Sequence, residues 1–335
     1  VFEGWEEITG RLDVHGEFLD IADFLSRDME IAEGGIPEQV RIRAQVHAQH
    51  GRWRDLSFGP LHADVRLWEG TATLERSRIR LEHGVLASSG HLRTGSAPEI
   101  YLSNRLRLTD QPLALLLKDL GVKEPPLDGA LNLEALVTLR GEKAEDLLGS
   151  LSGNANIAIQ EGHILHSNLL VQVLDTLSLK KLFQPKPGDL PEKAFYFEEI
   201  QGIADIEEGV LSSENASMTS PIFNAVAAGN ADLTTRSYGF TMGIRPHATL
   251  DALVRTIPIL GYALTGKDRA FLTYYFDVTG PFANPDIRYV PFKHLAGGVA
   301  DVLKRLFLSP VRIYDRLSGG SPPARPPDPD EAPAP

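Results

Sequence analysis

Over residues 153–164, GNANIAIQEGHI, the side chains of Ala155, Ile157 and Ile159 fall on one side of an extended chain and those of Asn154, Asn156 and Gln160 on the other. Glu161-Gly162 then interrupts the run, which reads as a half-buried strand ending in a turn. The same period of two returns along most of the chain. It places Val40, Ile42 and Val46 together in QVRIRAQVHA (39–48), and Leu61, Ala63, Val65 and Leu67 together in PLHADVRLW (60–68). It does the same for Leu131, Leu133, Ala135, Val137 and Leu139 in GALNLEALVTLRG (129–141), and for Phe240, Met242 and Ile244 in YGFTMGIRP (238–246). Gly, Pro or Asn bounds each run, as expected of strands joined by tight turns. LEHGVLASS (81–89), IQEGHILHS (159–167) and IEEGVLSSE (206–214) resemble one another, with WEGT (68–71) and AEGG (32–35) as looser copies. A glycine there supplies the positive φ of a hairpin turn or bulge. Gly84, Gly162 and Gly209 are 78 and 47 residues apart, too irregular for a solenoid of fixed coil length. The pattern predicts a long antiparallel meander.

Between strand groups the apolar period lengthens toward three and four. FLDIADFL (18–25), LTDQPLALLLKDLG (108–121), NLLVQVLDTLSLKKLF (168–183) and ATLDALVRTIPILG (248–261) predict short amphipathic helices near 20–25, 112–120, 167–182 and 249–260. Asp20, Asp110 and Thr249 are placed to cap helix starts, and Gly121 and Gly261 to close two ends. In VPFKHLAGGVADVLKRLFLSPVRIYDRL (290–317) a longer helix is expected near 291–316. Phe292, Leu295, Val299, Val302, Leu303 and Leu306 follow its spacing, with Lys293, Asp301, Lys304 and Arg305 mostly on the other side. This segment carries five Lys or Arg against two Asp between Lys293 and Arg316. It reads either as a helix packed on the end of the sheet or as a basic amphipathic segment meeting an anionic membrane surface or a partner. Residues 318–335, Pro-rich and poor in aliphatics, read as a disordered tail.

A strand with one apolar face needs that face covered, and a few short helices cannot cover a dozen or more strands. A closed barrel or a second sheet would do so. So would an open, curled sheet whose concave face holds something other than protein.

Composition narrows the function classes. The net charge of -12 argues against a general nucleic-acid binder, which needs a basic face. The absence of cysteine excludes disulfides and thiolate metal sites. No window reaches the ~18 apolar residues of a membrane-spanning helix. The chain opens at Val1 without a charged-then-apolar leader and is expected to be part of something longer. GYALTGKD (261–268) approaches the phosphate-loop pattern, but Asp268 stands where a magnesium-binding hydroxyl belongs. The pairs His163/His166 and His47/His50 are three apart, which on a strand puts them on opposite faces, so no metal site is expected. GSLSG (149–153) has Leu151 where a nucleophilic serine would stand. Glu198-Glu199 and Glu207-Glu208 read as solvated edges or turns. Neither an enzyme nor a cofactor is expected.

From about 127 to 317 the sequence resembles the C-terminal region of AsmA-like proteins, of the kind that includes the YhdP and TamB groups of Gram-negative envelopes. The resemblance rests on GALNLEALVTLRG, on LSGNANIAIQEGHI with the following LLVQVLDTLSLKKLF, on FEEIQGIADIEEGVLSSENASMTSPIFNAVAAGNADL, and on TGPFANPDIRYVPFKHLAGGVADVLKRL. Residues 1–126 match more loosely, as a β-meander groove segment. The resemblance implies a mainly β fold with short helices: an elongated, twisted antiparallel sheet curled into an open, taco-like apolar groove and capped by the C-terminal amphipathic helix. It implies a periplasmic location, an inner-membrane anchor on an N-terminal part absent from this chain, and phospholipid movement between the envelope membranes. Leu131, Leu133, Val137, Leu139, Ala155, Ile157, Ile159, Phe240, Met242 and Ile244 would then face phospholipid acyl chains. Phe292, Leu295, Val299, Val302, Leu303, Leu306, Lys304 and Arg305 would face a membrane surface or an envelope protein. The alternative is a structural or assembly factor acting through its sheet, by edge pairing or as a spacer. A carbohydrate-active solenoid enzyme, the third class, fits poorly with the irregular repeats and the absence of a carboxylate cluster.

Overall fold

A computed structural model of the chain describes residues 8–20, 38–53, 56–94, 100–119, 121–141, 144–165, 194–247, 273–295 and 297–308. The alternating runs form strands β1 (Ile8–Asp20), β2 (Val40–Trp53), β3 (Leu56–Trp68), β4 (Thr71–Leu81), β5 (Val85–Thr94) and β6 (Ile100–Pro112). Helix α1 (Leu113–Asp119), β7 (Ala130–Gly141), the short α2 (Ala144–Gly149) and β8 (Ser152–Ile164) follow. The chain continues as β9 (Phe195–Glu207), β10 (Val210–Thr219), β11 (Phe223–Asp232), β12 (Ser237–Pro246), β13 (Tyr274–Pro281) and β14 (Asp286–Val290). A single 3-10 turn (Phe292–His294) and α3 (Gly297–Leu308) close the described part.

The fourteen strands make one twisted, open sheet in which spatial order equals chain order. Twelve of the neighbouring pairs are antiparallel, as the meander pattern predicts. β1 against β2 is parallel, with Ile8 beside Val40 and Gly16 beside Ala48. A parallel neighbour needs a crossover instead of a hairpin, and the local alternation that predicted a strand here carries no information on its direction.

Pairing transmits the alternation from strand to strand. One row runs Ala48, Leu61, Ile79, Leu86, Leu108, Leu133, Ile157 and Gly202 across β2 to β9. Such rows build a continuous apolar inner face. Its two buried clusters, one around Phe58, Leu61, Leu131 and Phe197 and one around Phe223, Ile244 and Phe276, share Ile164 and Met218 at their margins. Leu113 and Leu116 of α1 pack on the first cluster. α3 lies on the opposite face, where Leu303 and Leu306 are buried against Val226, Ala228, Tyr275 and Val290.

The look-alike glycine junctions differ in structure. Glu208-Gly209 and Glu69-Gly70 are two-residue hairpin loops with positive φ at both positions, the geometry that matches strand twist. Gly84 closes a longer loop and is not left-handed. Glu161-Gly162 does not end its strand. β8 runs on to Ile164, and Glu161, at φ 48°, is the left-handed residue of a kink that moves the inward register from Ile159 to Gly162. Glycine is required there by space, because a Cβ would stand 2.2 Å from the Asp128 carbonyl and 2.5 Å from the Phe197 ring.

The helix expectations divide. That near 112–120 is met by Leu113–Asp119, with Gly121 at φ 90° closing it, but Asp110 lies before the helix as a left-handed residue in β6 whose backbone amide donates to the Asn132 side-chain Oδ1. Near 20–25, Phe18 to Asp20 belong to β1 and the rest lies outside the described residues, as do 167–182, 249–260 and the tail at 318–335. The helix expected near 291–316 is broken into the 3-10 turn and α3, with 309–316 outside the described residues. α2 has too few residues to show a period.

Gly162→Ala is expected to destabilise the chain by about 1–3 kcal/mol, because a buried backbone and a buried ring must both move. Chemical denaturation of the variant checks this. A second test lies at the β11–β12 turn. The Thr234 hydroxyl (2.6 Å) and the Thr235 and Thr234 amides (2.9 and 2.8 Å) donate to Asp232, holding its carboxyl at about 2 against an ordinary 3.8. A depressed carboxyl stabilises above its unfolded value and loses that contribution as pH falls through its folded value. The stability difference between the wild type and Asp232→Ala should therefore be full above about pH 4 and shrink toward pH 2 in pH-dependent unfolding.

Candidate functional site: an apolar groove

The inner face is apolar because of register. Each inward residue on one strand pairs with an inward residue on the next, so a single out-of-phase strand would put charge into the row. None does. Among the described residues, the paired inward positions contain no Asp, Glu, Lys, Arg or His. Polar interruptions are neutral: Ser88 donates to Asn104 at 2.8 Å, and Gln111 is 2% exposed with its side-chain oxygen lacking a hydrogen bond. Burial pushes the Tyr274 hydroxyl up to about 12, with Tyr289 adding to it, and burial also raises that of Tyr238. Both phenols are neutral at physiological pH, so the groove presents an uncharged, low-dielectric lining.

Burial is graded across the strands. Phe58, Leu81, Leu108, Leu131, Phe197, Phe223 and Ile244 lie toward one rim and are nearly inaccessible. Toward the other rim several inward side chains stay partly exposed, as at Leu67, Leu92, Leu102, Leu139 and Phe240, while Val40, Ile206 and Val278 are buried there. The sheet is thus packed along one edge of the groove and partly open along the other.

All ten residues expected to line the groove lie on this inner face. Leu131, Ala155, Ile159, Met242 and Ile244 are buried in its packed part. Leu133, Val137, Leu139, Ile157 and Phe240 are half-exposed on the way to the open rim.

The C-terminal segment has a different geometry. Leu295, Val299, Val302, Leu303 and Leu306 pack on the outer face of the sheet, so the apolar stripe is occupied by protein. Arg245 stands 4.1 Å over the Phe307 ring and ties the helix to β12. Lys304 and Arg305 point to solvent, while Phe292 (58%) and Leu308 (73%) are the well-exposed apolar residues at this end.

The candidate chemistry resolves into structure. His163 is held by Asp128, whose carboxylate accepts its backbone amide and lies 3.3 Å from its Nδ1. His166 and 261–268 lie outside the described residues. What the sequence reading missed is on the outer face. Spacing along one strand separates His47 from His50, but pairing across strands brings His47 beside His15 and His62. Histidines at matching positions of neighbouring runs are the signal that would have found them, once the register was known.

The model of the family described as YhdP protein matches residues 30–287. No curated protein and no solved structure matches the chain. Over three-quarters of its length, then, a chain whose sheet presents an uncharged apolar groove is a member of the YhdP family, an envelope family of the lipid-transport type.

Proposed function

We propose that this chain is a non-enzymatic lipid-binding groove module of a periplasmic, inner-membrane-anchored protein that contributes to phospholipid transport between the inner and outer membranes and to outer-membrane integrity. The observation that carries the reading is the charge-free inner face with one open rim. Acyl chains need an apolar lining without hydrogen-bond demands, since every unpaired polar group facing them costs free energy. A continuous lining across strands offers a track instead of a closed pocket. The neutral phenols of Tyr238 and Tyr274 fit the same requirement.

The grading of burial sets the test. A charge at Val137 or Leu139, half-exposed near the open rim, should leave the fold intact and block acyl passage. The same change at Ile244, 1% exposed, should unfold the chain, because an unpaired charge would enter a packed core. Photocrosslinkers at Leu133 or Ile157 should capture phospholipid, and crosslinkers at the outward Asn154 or Leu136 should not. Equal lipid labelling of the two faces would sink the reading, and capture of a protein strand by β1 without lipid would favour the structural alternative.

Docking at the C-terminal end rests on the exposed side of α3, since its apolar stripe is already engaged. Lysine or arginine near an anionic surface contributes about 1 kcal/mol each. Lys304→Glu with Arg305→Glu should therefore weaken binding to anionic vesicles by more than about tenfold, with high salt reproducing the loss in the wild type. Vesicle flotation measures it, and unchanged flotation would make α3 a structural cap alone.

A further inference from the structure

We propose that Asp13, His15, His47 and His62, on the outer face of β1, β2 and β3, form a binding site for a divalent transition-metal ion of the class that takes imidazole nitrogen, for which Zn2+ is the probe. The register builds the cluster. His15 of β1 pairs with His47 of β2, and His47 pairs with His62 of β3, so three imidazoles stand in one row on three neighbouring strands. Asp13 is two residues before His15 and shares its face.

The geometry is that of ligands close to a common centre. Candidate ligand atoms of Asp13, His15 and His47 all lie within 4.8 Å of one another. The carboxylate of Asp13 is 2.9 Å from His15 Nε2, and His47 Nδ1 is 2.7 Å from His62 Nδ1. The His15 and His47 rings stack at 4.9 Å, and the His62 ring meets His47 edge-on at 5.0 Å. Bonds of about 2.0–2.1 Å in tetrahedral array hold ligand atoms roughly 3.3 Å apart. The 2.7 and 2.9 Å contacts lie just below that value and the atoms of Asp13, His15 and His47 lie within 4.8 Å of one another, so side-chain rotation would bring these ligands to bonding distance of one ion. Asp13, His15 and His47 supply three ligands and His62, in contact with His47, would supply the fourth by rotation, a donor set suited to zinc or copper. His15, His47 and His62 also line a cleft together with Glu17, which gives an ion an approach from solvent.

The surrounding charges are arranged compatibly. Arg76 is engaged by Asp64 at 2.9 Å, and Gln45 donates to the same carboxylate, so this neighbouring row neither supplies a competing ligand nor presents a free cation to Asp13. Arg78 stands beside His62 on β4 and confines the site to the β1 side of the row. An ion held there would join the parallel edge strand to the two strands behind it. Residues 9–18 of that strand are exposed, so its hold rests mainly on the pairing with β2.

The test uses the whole chain after chelator stripping, titrated calorimetrically with Zn2+ and spectroscopically with Co2+. The wild type should bind one ion per chain, give the visible absorption of tetrahedral Co2+, and show slowed amide exchange in β1 on Zn2+ addition. Loss of an outer partner of a metal ligand costs about 10–100-fold in affinity, and loss of a ligand costs no less. His47→Gln and His15→Gln should each weaken Zn2+ binding by about tenfold or more and abolish the protection of β1. His91→Gln, away from the row, should change neither. Binding that survives both row variants, that falls equally with His91→Gln, or that leaves exchange in β1 unaltered would overturn the proposal.

Discussion

A single layer of sheet with one apolar face is unstable in water until that face is covered, and this constraint organises the rest of the molecule. Part of the cover is internal, where the curled sheet packs Phe197, Phe223 and Ile244 along one rim and α1 adds Leu113 and Leu116. Part of the inward face stays partly exposed toward the other rim, as at Leu67, Leu92, Leu139 and Phe240. A face that is uncharged at all its paired positions yet incompletely buried is well matched to a guest that brings apolar surface and no hydrogen bonds. The functional reading follows from that mismatch between how apolar the face is and how far the protein buries it.

The two faces of the sheet divide the work. Inward positions among the described residues are uncharged, mostly aliphatic or aromatic with a few neutral polar residues such as Asn104 and Gln111, whereas the outer face tolerates ion pairs such as Asp64–Arg76 and Arg107–Glu134, whose surface setting makes them worth little to stability. At the C-terminal strands the outer face is also apolar, at Val226, Ala228, Tyr275 and Val290, and there α3 covers it. The last strands are therefore a three-layered end, helix over sheet over groove.

Most of this was legible from alternation, because a period of two states which residues share a face and leaves little freedom of register once one face must be dry. That the residues from Leu131 to Ile244 share the inner face was readable for that reason. Three things were not. The parallel direction of β1 depends on a crossover, about which alternation within the strand is silent. The kink at Glu161-Gly162 looks in sequence like the turn at Glu208-Gly209, and the difference lies in whether a partner strand continues beside it. The side of the sheet that α3 occupies depends on the apolar outward residues of β11 and β13, which read individually as minor breaks in the pattern. The histidine row escaped for the same reason: neighbourhood across strands is created by pairing, and spacing along the chain does not reveal it.

Because spatial order equals chain order through all fourteen strands, the length of the groove is an additive property. Each strand extends it by about 4.8 Å, so this sheet spans on the order of 60 Å measured along its curve. Duplicating one hairpin lengthens the track by two strands and preserves which face is dry, with no need to redesign a shared core. Such a fold can grow or shrink by genetic duplication in steps of about 1 nm, and its span becomes something selection can adjust without disturbing the apolar face.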